Sequence, residues 1–185
     1  KGQMTEEALR HHYWAVADAS PIPVLIYNVP IFTALNLPAE TVARLAEHPN
    51  IVGIKDSAGD VGQLGEIVRL TPPKFAVFTG ASRVLHACLC VGAVGGMLAL
   101  ANVAPRLCTE MVALVEAGRH ETARALQGRL TALEGAIRSP YGIGGWKAAM
   151  DLLGYRGGAP RPPLLPADQE ARKRIRQALE AHGLL

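Results

Sequence analysis

Two side chains able to do covalent chemistry stand at equivalent places in this sequence. "VLIYNVP" (Val24 to Pro30) is an apolar run that turns polar at Tyr27, and "IVGIKDSAGD" (Ile51 to Asp60) does the same at Lys55, 28 residues later. An amine held among apolar walls loses hydration, which disfavours its ammonium form. The neutral amine is the nucleophile that attacks a ketone carbon and forms a Schiff base. A phenol beside it can carry protons to and from the carbinolamine. Strand alternation along "IVGIK" places Ile51, Gly53 and Lys55 on one face, with Val52 and Ile54 on the other. The plainer readings are that Tyr27 only packs, and that Lys55 snorkels outward or pairs with Asp56 or Asp60. Lys1, Lys74, Lys147 and Lys173 have weaker claims, because none ends a strand.

The elements that must position the pair follow from hydrophobic period. "TEEALRHHYWAVADA" reads as a helix with an apolar stripe of Ala8, Leu9, Tyr13, Val16 and Ala17. "SPIP" stops it, and "VLIY" follows as a strand. "LPAETVARLAEH" is helical, with Pro38 and Glu40 at its start. "NIVGIK" is a second strand, and "DVGQLGEIVRLT" a helix with Asp60 as its cap. "FAVFTG" and "GGMLAL" read as third and fourth strands around the helix "SRVLHACLCVG". "VAPRLCTEMVALVEAG" is a further helix, ended by Gly118. Continuous apolar strands joined by helical crossovers predict an α/β fold with a parallel sheet covered on both faces. Four such units fit either an open doubly wound sheet or part of a (β/α)8 barrel, which needs eight strands and about 250 residues. Residues 119–185 read as three helices without a strand, around the Gly/Pro-rich connection "YRGGAPRPPLLP". The expected organisation is therefore an α/β part over residues 1–118 and a helical extension over 119–185.

Composition narrows the function. Hydrophobic residues at 49% and charged residues at 19% over 185 positions describe a globular chain with a real core. The net charge of +3 comes from scattered Arg and Lys; the one basic run, "RKRIR" at Arg172 to Arg176, lacks interleaved aromatics and reads as a solvated helix face. Nucleic-acid binding is not expected. Three cysteines (Cys88, Cys90, Cys108) make no paired framework and suggest a reducing, cytoplasmic setting. His86, Cys88 and Cys90 in "HACLC" invite a metal reading, but helix positions two apart face different ways. "GAVGG" and "GIGG" do not follow a strand and open a helix as a phosphate loop must. No apolar stretch is long enough to span a membrane, and no signal peptide is evident. Entering a helix almost directly from Lys1, the chain is expected to begin within a domain.

"YNVP" with the lysine of "GIKDS" behind it resembles the dihydrodipicolinate synthase and N-acetylneuraminate lyase family of pyruvate-dependent class I aldolases. "FTGAS", "GAVGGMLALANVAP", "GWKAAMDLLG" and "RPPLLP" resemble further family segments in order. The resemblance implies a (β/α)8 barrel with a C-terminal helical extension, of which this chain matches the C-terminal part. It implies that Lys55 is the Schiff-base lysine and Tyr27 the proton-relay tyrosine. It further implies substrate-side roles for Thr33, Gly80 and Met97, and for Ser57 near the imine, where helix capping is the plainer role for Ser57. Neither a metal nor an organic cofactor is implied. The substrate would be pyruvate or a related 2-oxo acid, and the assembly a homotetramer built as a dimer of dimers. The resemblance implies that the family's carboxylate-binding "GTTGE"-type loop and its second relay tyrosine would lie on segments before Lys1.

Two departures bear on the branch. The synthases that condense pyruvate with aspartate semialdehyde carry an arginine two residues beyond the proline of "YNVP", where this chain has Phe32. Ala34 stands in place of the glycine of the family's "TG". "GIKDSAGD" looks most like the 4-hydroxy-2-oxoglutarate aldolase branch, which ranks first. The alternatives are dihydrodipicolinate synthase, a sugar-acid aldolase, or a non-catalytic fragment or subunit.

Overall fold

The computed structural model describes residues 4–139 and 141–185. It divides into two compact units, residues 1–97 and 98–185. In the first, α1 (Glu6–Ala19) is capped by Thr5, whose side chain accepts the Ala8 amide, and leads into β1 (Val24–Asn28). A short α2 (Pro30–Thr33) and α3 (Ala39–Leu45) precede β2 (Ile51–Asp56). Then come α4 (Val61–Leu70), β3 (Ala76–Thr79), a 3-10 turn at Ser82–Val84, α5 (Leu85–Cys90) and β4 (Gly95–Gly96). Asp60 caps α4 as expected, accepting from the Gln63 amide.

All pairings are parallel, and the sheet order is β1-β2-β3-β4. Right-handed crossovers that advance in one direction return their helices to the same side each time. The burial follows. Ile26, Ile54 and Val77 form one core with Leu9 and Ala17 of α1, Val42 and Leu45 of α3, and Leu64 and Ile67 of α4. Each such side chain contributes about 1.5–3 kcal/mol when fully buried. The other face carries Leu25 and Tyr27, 41% and 48% exposed, beside half-buried Lys55 and Phe78. The expectation of cover on both faces therefore fails for this chain: apolar strands require burial, but their own crossovers supply it on one side only. A doubly wound sheet reverses its strand order and helix side; this one does neither.

Three local expectations are corrected. The β1–β2 register slips between Val24 and Leu25, so that Val24 pairs with Ile51 and Leu25 with Gly53. The extra residue, Val52, is pushed outward while Ile51 joins the core beside Ile54, as a bulge reverses the alternation on one side of itself. Gly53 and Lys55 keep the predicted face. "GGMLAL" supplies only Gly95 and Gly96 to the sheet, and Ala99–Asn102 winds into a 3-10 turn. On α1, Ala8 and Val16 are exposed, and the buried positions are Leu9 and Ala17.

The second unit holds α6 (Pro105–Glu116), α7 (His120–Arg138), α8 (Gly142–Leu152) and α9 (Gln169–Ala181). α7 packs on the other three. The compact units part between Met97 and Leu98, with α6 beside α7 in the second, while Gly118, where the strand-bearing and all-helical stretches of sequence divide, lies between those two helices. Cys88 is buried and Cys90 exposed, so the two thiols of "HACLC" diverge.

Ala34 ends α2 in the left-handed region, with φ 53° and ψ 19°. It is the one non-glycine residue with positive φ among those described. A Cβ in that conformation costs roughly 1–2 kcal/mol, less the entropy that glycine adds to the unfolded chain. Ala34→Gly is expected to stabilise the protein by about 0.5–1 kcal/mol, read as a higher urea midpoint at unchanged slope.

Candidate active site

At their C-terminal ends β1 and β2 run in register, with Tyr27 beside Lys55 and Asn28 beside Asp56. Tyr27 and Lys55 therefore share the open face. Lys55 Nζ lies 4.2 Å from the centroid of the Tyr27 ring, close enough for direct contact with the aromatic face. Lys55 is half-buried. The alternative partners are elsewhere: Asp56 faces the opposite side of the sheet, and Asp60 caps α4. Lys147 Nζ donates to the Gly157 carbonyl at 2.7 Å, while Lys74 and Lys173 are exposed.

The rim next to Lys55 is stitched in a regular way. The first residue beyond each of β2, β3 and β4 donates its amide to the last residue of the preceding strand. Ser57 N reaches Asn28 O at 2.8 Å, Gly80 N reaches Asp56 O at 2.7 Å, and Met97 N reaches Thr79 O at 2.9 Å. Ser57, Gly80 and Met97 are thereby set in a row along one edge. Ser57 Oγ is buried without a hydrogen-bond partner. A Cβ placed on Gly80 would overlap Ser57 Oγ and come within 2.9 Å of Lys55 Cε, so this glycine leaves the space between them. The capping role weighed for Ser57 belongs to Asp60 instead.

Two residues from the sequence reading are not drawn into this cluster. The Thr33 hydroxyl lies within hydrogen-bond reach of Val29 O at 3.2 Å and Leu35 O at 2.9 Å, and accepts from Leu35 N. It serves its own turn. Phe32, 77% exposed, also stands in that turn and offers no polar group.

Beneath the rim is a polar network that the sequence reading missed. Asn28 and Asp56 are 2% and 1% exposed, and Asn28 Nδ2 donates to Asp56 Oδ1 at 2.6 Å. Asn28 also donates to Asn36 Oδ1 and accepts from the Leu37 amide. Asn36 in turn donates to Gln63 on α4. Burial pushes the Asp56 carboxyl above the usual carboxylate range, against the hydrogen bonds from Asn28, the Ala58 amide and Gln63 that favour its charged form. The signal was available: polar residues directly after Tyr27 and Lys55 must point to the helix-covered side.

The model of the dihydrodipicolinate synthetase family matches residues 2–182. The curated 4-hydroxy-tetrahydrodipicolinate synthases of Archaeoglobus fulgidus and Acidiphilium cryptum are 37% and 38% identical, over 97% and 98% of this chain. In both cases the chain spans 62% of the relative's own length. Dihydrodipicolinate synthase from Thermotoga maritima superposes with a TM-score of 0.88 at 33% identity, over 98% of this chain and 63% of that one. The E. coli K12 prophage protein YagE, of the dihydrodipicolinic acid synthase family and solved in complex with pyruvate, gives 0.89 at 26% identity over the same shares.

Gly80→Ala is expected to cost about 1–3 kcal/mol of stability through overpacking. Most of that cost should vanish in a Ser57→Ala background, which removes the overlapping hydroxyl; a double-mutant cycle from urea melts measures the coupling. A second expectation concerns Asp56. Its pKa is raised on folding, so its contribution to stability is fully present below the unfolded value and lost as pH rises through the folded one. Between pH 7 and pH 4 the wild type should therefore gain stability relative to Asp56→Asn, seen as a growing difference in urea midpoints.

Proposed function

Because the chain belongs to the dihydrodipicolinate synthetase family, we propose that Lys55 condenses with pyruvate or a related 2-oxo acid in a class I carbon–carbon lyase reaction. The single observation that carries this reading is the Lys55 amine held 4.2 Å from the Tyr27 ring on one rim of the sheet. The neutral amine attacks the keto carbon, and the oxygen becomes the hydroxyl of a carbinolamine. That hydroxyl leaves as water once it takes a proton, for which Tyr27 is the nearby acid, and an iminium remains. The iminium accepts the electron pair of the bond that is broken, giving an enamine; in the reverse sense the enamine adds to an aldehyde. Ser57 Oγ, lacking a partner inside the protein, is suited to hydrogen-bond the oxygen of the carbinolamine. Gly80 supplies space rather than a donor, since its amide is already engaged by Asp56 O. Thr33 and Met97 enter as rim residues whose backbone and turn shape the approach. Neither a metal nor an organic cofactor is part of this scheme.

As to branch, the names of the relatives reverse the ranking from sequence. The curated proteins at 36–38% identity are 4-hydroxy-tetrahydrodipicolinate synthases, which favours that synthase activity over 4-hydroxy-2-oxoglutarate aldolase. The aldolase reading keeps one specific support: Phe32, exposed and apolar, where the resemblance puts the carboxylate-binding arginine of the synthases.

We read β1 to β4 as four of the eight strands of a barrel and residues 119–185 as its C-terminal helical extension. One-directional strand order and a sheet face left open by its own helices both support this. A homo-oligomer is proposed as well, although one similar structure is described as a monomeric variant of dihydrodipicolinate synthase. No helix among the described residues is long and apolar enough to cross a membrane; a cytoplasmic location is a proposal from cysteine usage.

Incubation with pyruvate and borohydride, followed by peptide mass analysis, should place one reduced adduct on Lys55. Lys55→Arg should give none, and Tyr27→Phe should slow its formation by about 10²–10⁴-fold. An unmodified Lys55 in folded wild-type protein removes the Schiff-base reading. Condensation with aspartate semialdehyde, against cleavage of 4-hydroxy-2-oxoglutarate, then separates the two branches.

A further inference from the structure

We propose that Asn28 and Asp56 are a positioning pair that fixes how Tyr27 and Lys55 meet, a reading that rests on the Schiff-base function above. Each follows one of the two chemical residues in the sequence, and the two are paired across β1 and β2 in the same register. Because alternate side chains point to opposite faces, the rotation that buries Asn28 and Asp56 is the rotation that presents Tyr27 and Lys55. The pair is closed by a 2.6 Å hydrogen bond in a nearly dry setting. A slip of either strand by one residue would turn one of the two to the open face and leave the other buried without its partner, so the pair discriminates between registers more sharply than the apolar contacts around it.

The pair also governs the two loops that border the site. Through Asn36 and the Leu37 amide, Asn28 holds the loop after β1, which carries Thr33. Through Asn28 and Asn36, Asp56 is linked to Gln63 in the first turn of α4, just beyond the loop after β2 that carries Ser57. Their backbone carbonyls do the same work on the rim: Asn28 O takes Ser57 N, and Asp56 O takes Gly80 N. Neither side chain reaches the open face. They act on the reaction only through the groups they place.

The test uses Asn28→Asp, which sets two carboxylates face to face, and the swapped double variant N28D/D56N, which restores one donor and one acceptor. Asn28→Ala, which only removes the donor, serves if Asn28→Asp does not fold. The first readout needs no turnover: the NMR signal of the Lys55 ε-methylene, displaced by the ring current of Tyr27 and referenced to Tyr27→Ala. The second is the rate of borohydride-trapped pyruvate on Lys55. Asn28→Asp should lose most of the ring-current displacement. Its trapping rate at saturating pyruvate should fall about ten- to a hundredfold, with little change in the half-saturating concentration. The swapped pair should recover both. A purely structural role would lower the melting temperature and leave the displacement and the rate of the folded fraction at wild-type values, and that result overturns the proposal. Should wild-type protein show the displaced signal but trap no pyruvate, the function is at fault, and the NMR comparison still decides the positioning role.

Discussion

The in-register pairing of β1 with β2 at their C-terminal ends is the constraint on which the rest of the site depends. It sets Tyr27 against Lys55 on one side and Asn28 against Asp56 on the other. A parallel ladder with a period of two leaves no intermediate arrangement: displacing either strand by one residue exchanges the contents of the two faces. A slip of β2 would drive the lysine under the helices, and a slip of β1 would expose the asparagine at the rim. The bulge at Val52 matters for the same reason. It sits before Gly53, so the change of phase is complete before the chemical residues are reached, and Ile51 can be in the core although Lys55 is not.

This placement has a cost. A buried amide and a buried carboxyl are less favourable than two aliphatic side chains of similar volume, and a hydrogen bond returns only about 1 kcal/mol net. What the polar pair adds is direction. Apolar contacts among Ile26, Ile54 and Val77 tolerate small slides, whereas a 2.6 Å hydrogen bond in a dry setting does not. The carbonyls of the same two residues bind the next strand's first loop residue, so backbone and side chain impose one geometry together. Ser57 Oγ, left without a partner beside Gly80 and Lys55, is a buried group in this rim whose hydrogen-bonding capacity remains unspent. Reserved capacity of that kind suits a group that meets its partner in a bound molecule.

That Tyr27 and Lys55 would end neighbouring strands was legible because it depends on local pattern: an apolar run, its end, and alternation within a few residues. Asp60 as a cap and Gly118 as a helix stop were legible for the same reason. What escaped was set by distant partners. Whether Asp56 would pair with Lys55 or with Asn28 depends on a register that neither segment encodes alone. Four residues of α2 are too few to show a helical period, and the turn it ends takes Thr33 for itself. β4 shrank to two glycines because nothing in "GGMLAL" says where the ladder must yield to a turn. The helix at Pro105–Glu116 is amphipathic in any reading; that its apolar stripe would meet α7 depends on an element downstream.

Apolar composition misled in one instructive way. Val, Ile, Leu and Phe in the strands state that both sheet faces are to be dry, but not what dries them. Helices that follow a one-directional strand order can cover only the outer face. The other face carries Leu25, Tyr27, Lys55 and Phe78, and further strands of the same kind, as in the barrel proposed above, would cover it. Closing it would remove the apolar surface of Leu25 and Tyr27 from water at about 25 cal/mol per Å². The same event would exclude water from around the Lys55 amine, where electrostatic interactions strengthen as the dielectric falls. Under the proposed function, stability and chemistry would draw on one closure: the surface that the sheet has most reason to bury is the surface on which the amine and the phenol meet.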